Sequence, residues 1–349
     1  FRIADLSFKQ ADYKRSLFAY KEVIKNTQIK SRMQLCNLKI VQIYRLQSNY
    51  DLASTLIKNM LIDENYQSIH PALELELAKL YQIQIKSDDF VSRLNTIIKD
   101  YPRTKESAES AYLLGEFMLL KTRNFDEALK FYSMVRSEYR QSLFIKSAQL
   151  RIKEINAYSK LILDYNKFLV DQPKKVEGNV NKEIKSINTA SKMLYELAEL
   201  EFLHFYNNDS ALVFIDQLLE FGSNKYFLPK SIYMKSVILD KNKDYNASRL
   251  LKNRIVNEFP RSDYAYAIIK SDSSLSNNIK TSNDILIEAE KIWKINPDLA
   301  LRKYKNIVSK DSISESGLRA AYFLAHNYDY NYVVPDSAKK FYEWIIKHH

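Results

Sequence analysis

A glutamate and a histidine three residues apart on one helix face can share a metal ion, and Glu201 with His204 is the one such pair in the chain. A di-iron centre of the bundle type would need a second E-x-x-H and two further glutamates on facing helices. The sequence has no second copy, so His204 is read as packed or solvated. Ser337 and Lys340 have the S-x-x-K spacing of a serine nucleophile with its base, but no K-T-G motif accompanies them. Phosphate loops need clustered glycines so that backbone amides can approach an anion, and Gly115, Gly178, Gly222 and Gly317 lie far apart. His70, His326 and the terminal His348-His349 have no partners at metalloprotease spacing. Cys36 is the single cysteine, which rules out an intrachain disulfide and a cysteine-based metal site. Its setting, Leu35-Cys36-Asn37-Leu38, suits a small buried hydrophobe. These residues predict a chain with no enzymatic activity, no cofactor and no metal.

The spacing that does recur is architectural. Tyr112, Leu114 and Gly115 are followed by Ala128; Tyr195, Leu197 and Ala198 by Ala211; Tyr322, Leu324 and Ala325 by Ala338. In each copy the small residue precedes the alanine by 13 positions, and an offset repeated at a period in the tens of residues marks a helical repeat array. Bulky residues follow four and seven after the alanine, as in Ala53/Ile57/Met60, Ala128/Tyr132/Val135, Ala211/Ile215/Leu218, Ala300/Tyr304/Ile307 and Ala338/Tyr342/Ile345, and this puts all three on one helix face. Ser16/Tyr20/Val23 fits with serine in the small slot. The copy at Ala247 dissents, because Arg254 stands where an aliphatic residue is expected; a shifted register with Ile255 turned inward follows. Small residues belong where two helices approach most closely.

Composition points the same way. Four glycines and seven prolines in 349 residues leave little material for tight turns or strand hairpins, and 46% hydrophobic residues suffice for a core running through a stack. Asn124 with Glu127 has the spacing of a capping box. Pro297 and Pro335 sit three before an alanine, in a first helical turn where proline is tolerated. Tyr101-Pro102-Arg103-Thr104 and Phe259-Pro260-Arg261-Ser262 each close one helix and offer a hydroxyl cap for the next. The prediction is an all-α stack of antiparallel helix pairs, with units starting near residues 1, 31, 71, 107, 143, 187, 227, 285 and 315. Two polar stretches divide it: an array over 1–170, a loop at 171–186, repeats over 187–270, a polar linker at 271–284 and repeats over 285–349.

The small-residue and alanine slots, the bulky residue four after the alanine and the closing aromatic-proline-x-hydroxyl tetrapeptide resemble the tetratricopeptide repeat. The proline with its hydroxylated neighbour is similar to the variant found in bacterial cell-envelope proteins, among them the helical lipoprotein of the outer-membrane β-barrel assembly machinery and the periplasmic partner of the Tol-Pal system. The chain departs from the family at its large first-helix residue, often tryptophan, where it has Ala111, Leu194 and Ala321. The resemblance implies a right-handed α-solenoid and a non-catalytic scaffold that binds a peptide or partner protein in a concave groove, within a bacterial envelope complex. The alternative is the helical, non-catalytic portion of a larger enzyme or transport assembly.

In such arrays the first helix of each pair lines the groove, and the positions three before the small slot and one after it point inward. Here these are Tyr112 and Glu116, Tyr195 and Glu199, Tyr322 and His326. A tyrosine offers a rigid apolar ring with a hydrogen-bonding tip, suited to gripping a peptide. Packing between repeats is the other role the sequence leaves open for it.

Net charge is +11, yet lysines are scattered singly through the helices with acidic residues between them, and the short basic runs are pairs such as Lys174-Lys175 and Lys339-Lys340. This is a solvated lysine-rich surface, and no nucleic-acid partner is expected. The chain begins at Phe1 without methionine and ends before a closing cap, so both ends read as cut. The family resemblance implies a periplasmic or outer-membrane-associated place, with peripheral attachment through an anchor upstream; a cytoplasmic place stays open, as does oligomeric state.

Overall fold

The computed structural model describes residues 1–171, 180–221, 226–271, 282–312 and 314–348. Among them there is no strand, and the fold is all-α: a solenoid of stacked antiparallel helix pairs in two compact units, Phe1–Ala157 and Tyr158–His349. Unit 1 pairs α1 (Arg2–Lys9) with α2 (Tyr13–Asn26), α3 (Lys30–Leu46) with α4 (Tyr50–Ile62), α5 (His70–Ile83) with α6 (Ser87–Asp100), and α7 (Lys105–Phe117) with α8 (Phe125–Glu138). Helix α9 (Ile145–Asp171) contains the boundary between the units. Unit 2 pairs α10 (Val180–Glu199) with α11 (Asn208–Phe221), α12 (Phe227–Lys241) with α13 (Tyr245–Glu258), α15 (Ser282–Ile292) with α16 (Pro297–Lys310), and α17 (Glu315–His326) with α18 (Pro335–His348). Helix α14 (Asp263–Ser271) follows α13. Of the expected breaks at 171–186 and 271–284, residues 172–179 and 272–281 lie outside the described residues, whereas 180–186 already form the start of α10 and 282–284 the start of α15, so the helices begin earlier than the polar composition implied.

The helices start where the sequence supplies acceptors. Asp12, Asn124, Asp244 and Asn296 each accept the amide three residues on, at 3.1 Å, and Thr104 makes a reciprocal capping box with Ser107. Ser262 accepts the Ala265 amide at 3.1 Å, so both aromatic-proline tetrapeptides end in a working cap, each contributing about 1 kcal/mol. Pro297 and Pro335 occupy first turns.

The core follows the slots. Ala53, Ala128, Ala211 and Ala300 are fully buried, with Ile57, Tyr132, Ile215 and Tyr304 beside them. At the dissenting copy Ser248, not Ala247, is the buried small residue, and Ile255 seven residues later is completely enclosed. The copy between Ala53 and Ala128 is Phe90/Leu94/Ile97, buried throughout, with a large residue in the small slot and Ala78 in the same cluster.

Two kinds of pair turn emerge. In the pairs α1/α2, α3/α4, α5/α6 and α12/α13 the turn closes by an amide-to-carbonyl bond five residues back, as Asp12 N–H donates to Ser7, Asn49 to Tyr44, Lys86 to Tyr81 and Asp244 to Leu239. The corresponding buried slots are twelve apart: Ala4 with Ser16, Val41 with Ala53, Ala78 with Phe90, Ser236 with Ser248. In the three copies with the 13-residue offset, the first helix ends in a π-helical turn (Met118–Thr122, Leu200–His204, Asn327–Asn331). There the closing bond spans six residues, from Asn124 to Met118, Asn207 to Glu201 and Val334 to Tyr328. The offset of 13 is thus one residue of π-turn added to a base offset of twelve.

Candidate functional site

In unit 1 the first-helix face is occupied by paired charges. Arg45 of α3 meets the buried Glu76 of α5 at 2.7 Å, and Lys79 of α5 meets Glu109 of α7 at 2.7 Å. Glu116 of α7 receives Arg151 of α9 twice, Nε to Oε1 at 2.9 Å and Nη2 to Oε2 at 3.2 Å, while the Tyr132 hydroxyl donates to Oε1 at 2.7 Å. Arg151 also reaches Glu154 at 3.1 Å. Tyr112 is half-buried, its ring stacked on Phe144 with centroids 4.9 Å apart and tilted against Tyr132 at 5.8 Å. Burial raises the Tyr112 and Tyr132 hydroxyls above the ordinary phenol range, and the Glu116 charge adds to the shift. Glu116 and Tyr112 therefore spend their polar atoms inside the protein.

Unit 2 carries an open cleft of about 820 Å³ lined by α10, α12, α14 and α17 and the residues just before them. Tyr195 and Glu199, two of the residues singled out by spacing, lie in its wall. Beside them are Tyr226 and Phe227 at the start of α12, Asp263 and Tyr264 at the start of α14, and Glu315 at the start of α17. At the centre is Lys230, whose Nζ stands 4.1 Å from the ring centroid of Tyr195, 4.1 Å from that of Phe227 and 4.4 Å from that of Tyr226. No carboxylate among the described residues lies within salt-bridge distance of this ammonium. Its partners are three ring faces, which attract a cation through their quadrupoles.

The electrostatics of the cleft follow from that arrangement. Burial pushes the Lys230 ammonium down to about 8, against the pull of Glu199, Glu196 and Glu315. Burial also raises the Asp263 carboxyl; Asp311, Glu315 and Asp284 raise it further, and Arg319 alone opposes them. Burial takes Tyr264 up to about 12, with Tyr226 and Asp263 adding to it, and lifts Tyr195 beyond that range, reinforced by Glu199. Of the other lining charges, Lys192 pairs with Glu196 at 3.9 Å and Glu315 with Arg319 at 2.7 Å.

Tyr322 and His326 lie elsewhere in unit 2. Both are exposed and border a separate hollow of about 830 Å³ floored by Trp293, Tyr304 and Phe323. Their rings are 6.3 Å apart, and His326 contacts Tyr330 at 4.7 Å. Glu201 is fully buried in the π-turn that also holds His204. Among the described residues no group of three or more His, Cys, Asp or Glu is placed to hold a metal. Ser337 and Lys340 lie at the start of α18, and Cys36 is buried, its thiol raised by desolvation. No described helix is long and apolar enough to cross a membrane.

Spacing alone missed Lys230, Tyr226, Phe227, Asp263, Tyr264 and Glu315. One signal was available: each lies in or just before the first turn of its helix, and Tyr226-Phe227-Leu228-Pro229-Lys230 packs two aromatics and a lysine together there. Their convergence on one cleft depends on how successive pairs rotate, which no single segment records.

No protein-family model matches the chain, and no curated protein matches it. Among solved structures it is similar to PilW, a widely conserved type IV pilus biogenesis factor, at 13% identity over 68% of this chain and 98% of that one, with a TM-score of 0.35. It is similar to the TPR domain of P58(IPK) at 12% identity over 90% of this chain and 83% of that one, TM-score 0.30. The apo form of the quorum sensor NprR from B. thuringiensis matches at 11% identity over 99% and 96%, TM-score 0.33. Superpositions this loose carry no argument about site or partner.

Proposed function

We propose that this chain is a non-catalytic protein-interaction scaffold whose unit 2 cleft receives a segment of a partner protein. The observation that supports it is the concentration of Tyr195, Tyr226, Phe227 and Tyr264 in one open cleft of about 820 Å³ bordered by α10, α12, α14 and α17. Aromatic side chains with polar tips give large contact area for little conformational entropy. Sites beside Tyr322 and His326 extend the binding surface, whereas Tyr112 and Glu116 act in packing. The aromatic-proline-x-hydroxyl tetrapeptides at Tyr101 and Phe259, similar to those of bacterial envelope proteins, are what supports the further reading that the scaffold works in a cell-envelope complex.

The test is site-specific photocrosslinking in the native host. A photoreactive phenylalanine replaces Thr189 or Tyr226 at the cleft, and Arg249 on the exposed side of α13 serves as control. The expected result is one discrete adduct from the cleft positions and none from Arg249. Adducts from Arg249 with none from the cleft overturn the assignment.

A further inference from the structure

The cleft in unit 2 is acidic although the protein as a whole is basic. The chain carries a net charge of +11, yet the lining charges are Glu196, Glu199, Asp263 and Glu315 against Lys192 and Lys230. Lys192 is taken up by Glu196, and Arg319, outside the lining, by Glu315. Lys230 spends its charge on three aromatic faces. Glu199 and Asp263 are thus left without an ion-pair partner among the described residues, with Asp311 and Asp284 reinforcing the negative field around Asp263. The ring faces of Tyr195, Tyr226 and Phe227 are already filled by Lys230, with centroid distances of 4.1 to 4.4 Å, which leaves the carboxylates and the Tyr264 ring to meet a guest.

We propose that the guest of this cleft is a lysine- or arginine-bearing segment of a partner protein, whose cationic side chains lie between Asp263, Glu199 and Glu315 and against the ring of Tyr264. This rests on the assignment of the cleft as the partner site and names the chemical class of its guest. The carboxylates supply charge-assisted hydrogen bonds and the Tyr264 ring supplies cation–π attraction. A cation entering beside Asp263 relieves the mutual repulsion of the surrounding carboxylates. Attraction governed by net charge alone would draw acidic guests to a chain of +11, so a preference for basic guests isolates the cleft from the bulk field.

The experiment measures binding of three fluorescent peptides of equal length to the full chain at low salt: one with alternating lysine and serine, one with alternating glutamate and serine, and one of glycine and serine. The expected result is binding of the lysine peptide at least about tenfold tighter than either other. The double variant Asp263→Asn/Glu315→Gln should lose about tenfold in that affinity with an unchanged circular-dichroism melt, while Glu64→Gln, an exposed carboxylate outside the cleft, leaves it unaltered. Tighter binding of the glutamate peptide, or a lysine-peptide affinity untouched by the double variant, overturns the inference and leaves the cleft as a partner site. Spermine competing at lower concentration than unlabelled lysine peptide overturns the choice of a peptide over a free polyamine. Absence of binding by all three peptides, together with no crosslink at Thr189 or Tyr226, overturns both this inference and the site assignment.

Discussion

The Tyr132 ring lies directly against the α-carbon of Gly115: a Cβ built on Gly115 would meet Tyr132 Cδ1 and Cε1 at 2.7 Å. Tyr132 cannot retreat easily, because its ring is buried and its hydroxyl is held by Glu116 at 2.7 Å. Gly115→Ala should therefore overpack the α7/α8 contact and destabilise the protein by about 1–3 kcal/mol. Chemical denaturation checks this, and the double variant Gly115→Ala/Tyr132→Leu should lose less than the sum of its single changes.

The bidentate pair between Glu116 and Arg151 ties α7 to α9 with little solvent access, at 20% and 14% side-chain exposure. Arg151→Met leaves the Glu116 carboxylate with the Tyr112 and Tyr132 hydroxyls but without its cation. Loss of charge-assisted hydrogen bonds of this kind costs about 2–3 kcal/mol. The Glu116→Gln/Arg151→Met pair should recover part of that loss in a double-mutant cycle; strict additivity of the two changes would show the pair to be uncoupled.

Among the described residues, several left-handed turn positions are held by residues other than glycine. Ile85 and Val333 adopt left-handed backbone with φ of 59° and 52°, although both are β-branched and mostly exposed. Such a conformation costs about 1–2 kcal/mol for a residue with a Cβ, while glycine gives back up to about 1 kcal/mol in unfolded-chain entropy. Ile85→Gly and Val333→Gly should each raise stability, by about 0.5–1 kcal/mol, measured by urea unfolding; a loss at both sites would contradict the strain argument.

Lys230 gives the protein a pH signature. Its ammonium titrates near 8 in the folded chain against 10.5 as the ordinary value, the larger cause being burial. Below pH 8 both states are protonated and the cost of the buried charge is present in full. As pH rises from 8 to 10.5 the folded chain releases its proton first and the cost disappears. Relative to Lys230→Met, the parent should gain stability across that window. The groups facing Lys230 are Tyr195, Glu196 and Glu199 from α10, Tyr226 and Phe227 beside it, Asp263 and Tyr264 from α14, and Glu315 from α17. Burial holds the Tyr195 and Tyr264 hydroxyls above the window in the folded state. A gap between parent and variant that stays constant from pH 8 to 10.5 would contradict the assignment.

The proteolytic soft spots expected from sequence are 171–186 and 271–284, of which 172–179 and 272–281 lie outside the described residues. Polar breaks uncouple neighbouring repeats, so limited trypsin digestion should cut there before it cuts α8. First cleavage within 127–138 would contradict the expectation.

The helices and their packing faces are legible in the chain's residue order, because both are local. Caps such as Asn124 and Ser262 act over three residues, and the triads from Ala53, Ala128, Ala211 and Ala300 repeat at intervals that a helix converts into a stripe. Even the three strong copies were legible as an offset of 13, although only the backbone shows that Met118–Thr122, Leu200–His204 and Asn327–Asn331 each add one residue of π-turn. Tertiary structure decided the rest. Tyr112 and Tyr195 occupy the same position in their repeats, yet one stacks on Phe144 beside the Glu116–Arg151 pair and the other faces an open cleft. The difference comes from the next helices in space: α9 brings an arginine to Glu116, whereas α12 brings Lys230 and α14 brings Asp263, and Glu199 is left without a cation at salt-bridge distance. A position in a repeat fixes which face of its own helix a residue occupies; what it meets there is set by side chains more than thirty residues away.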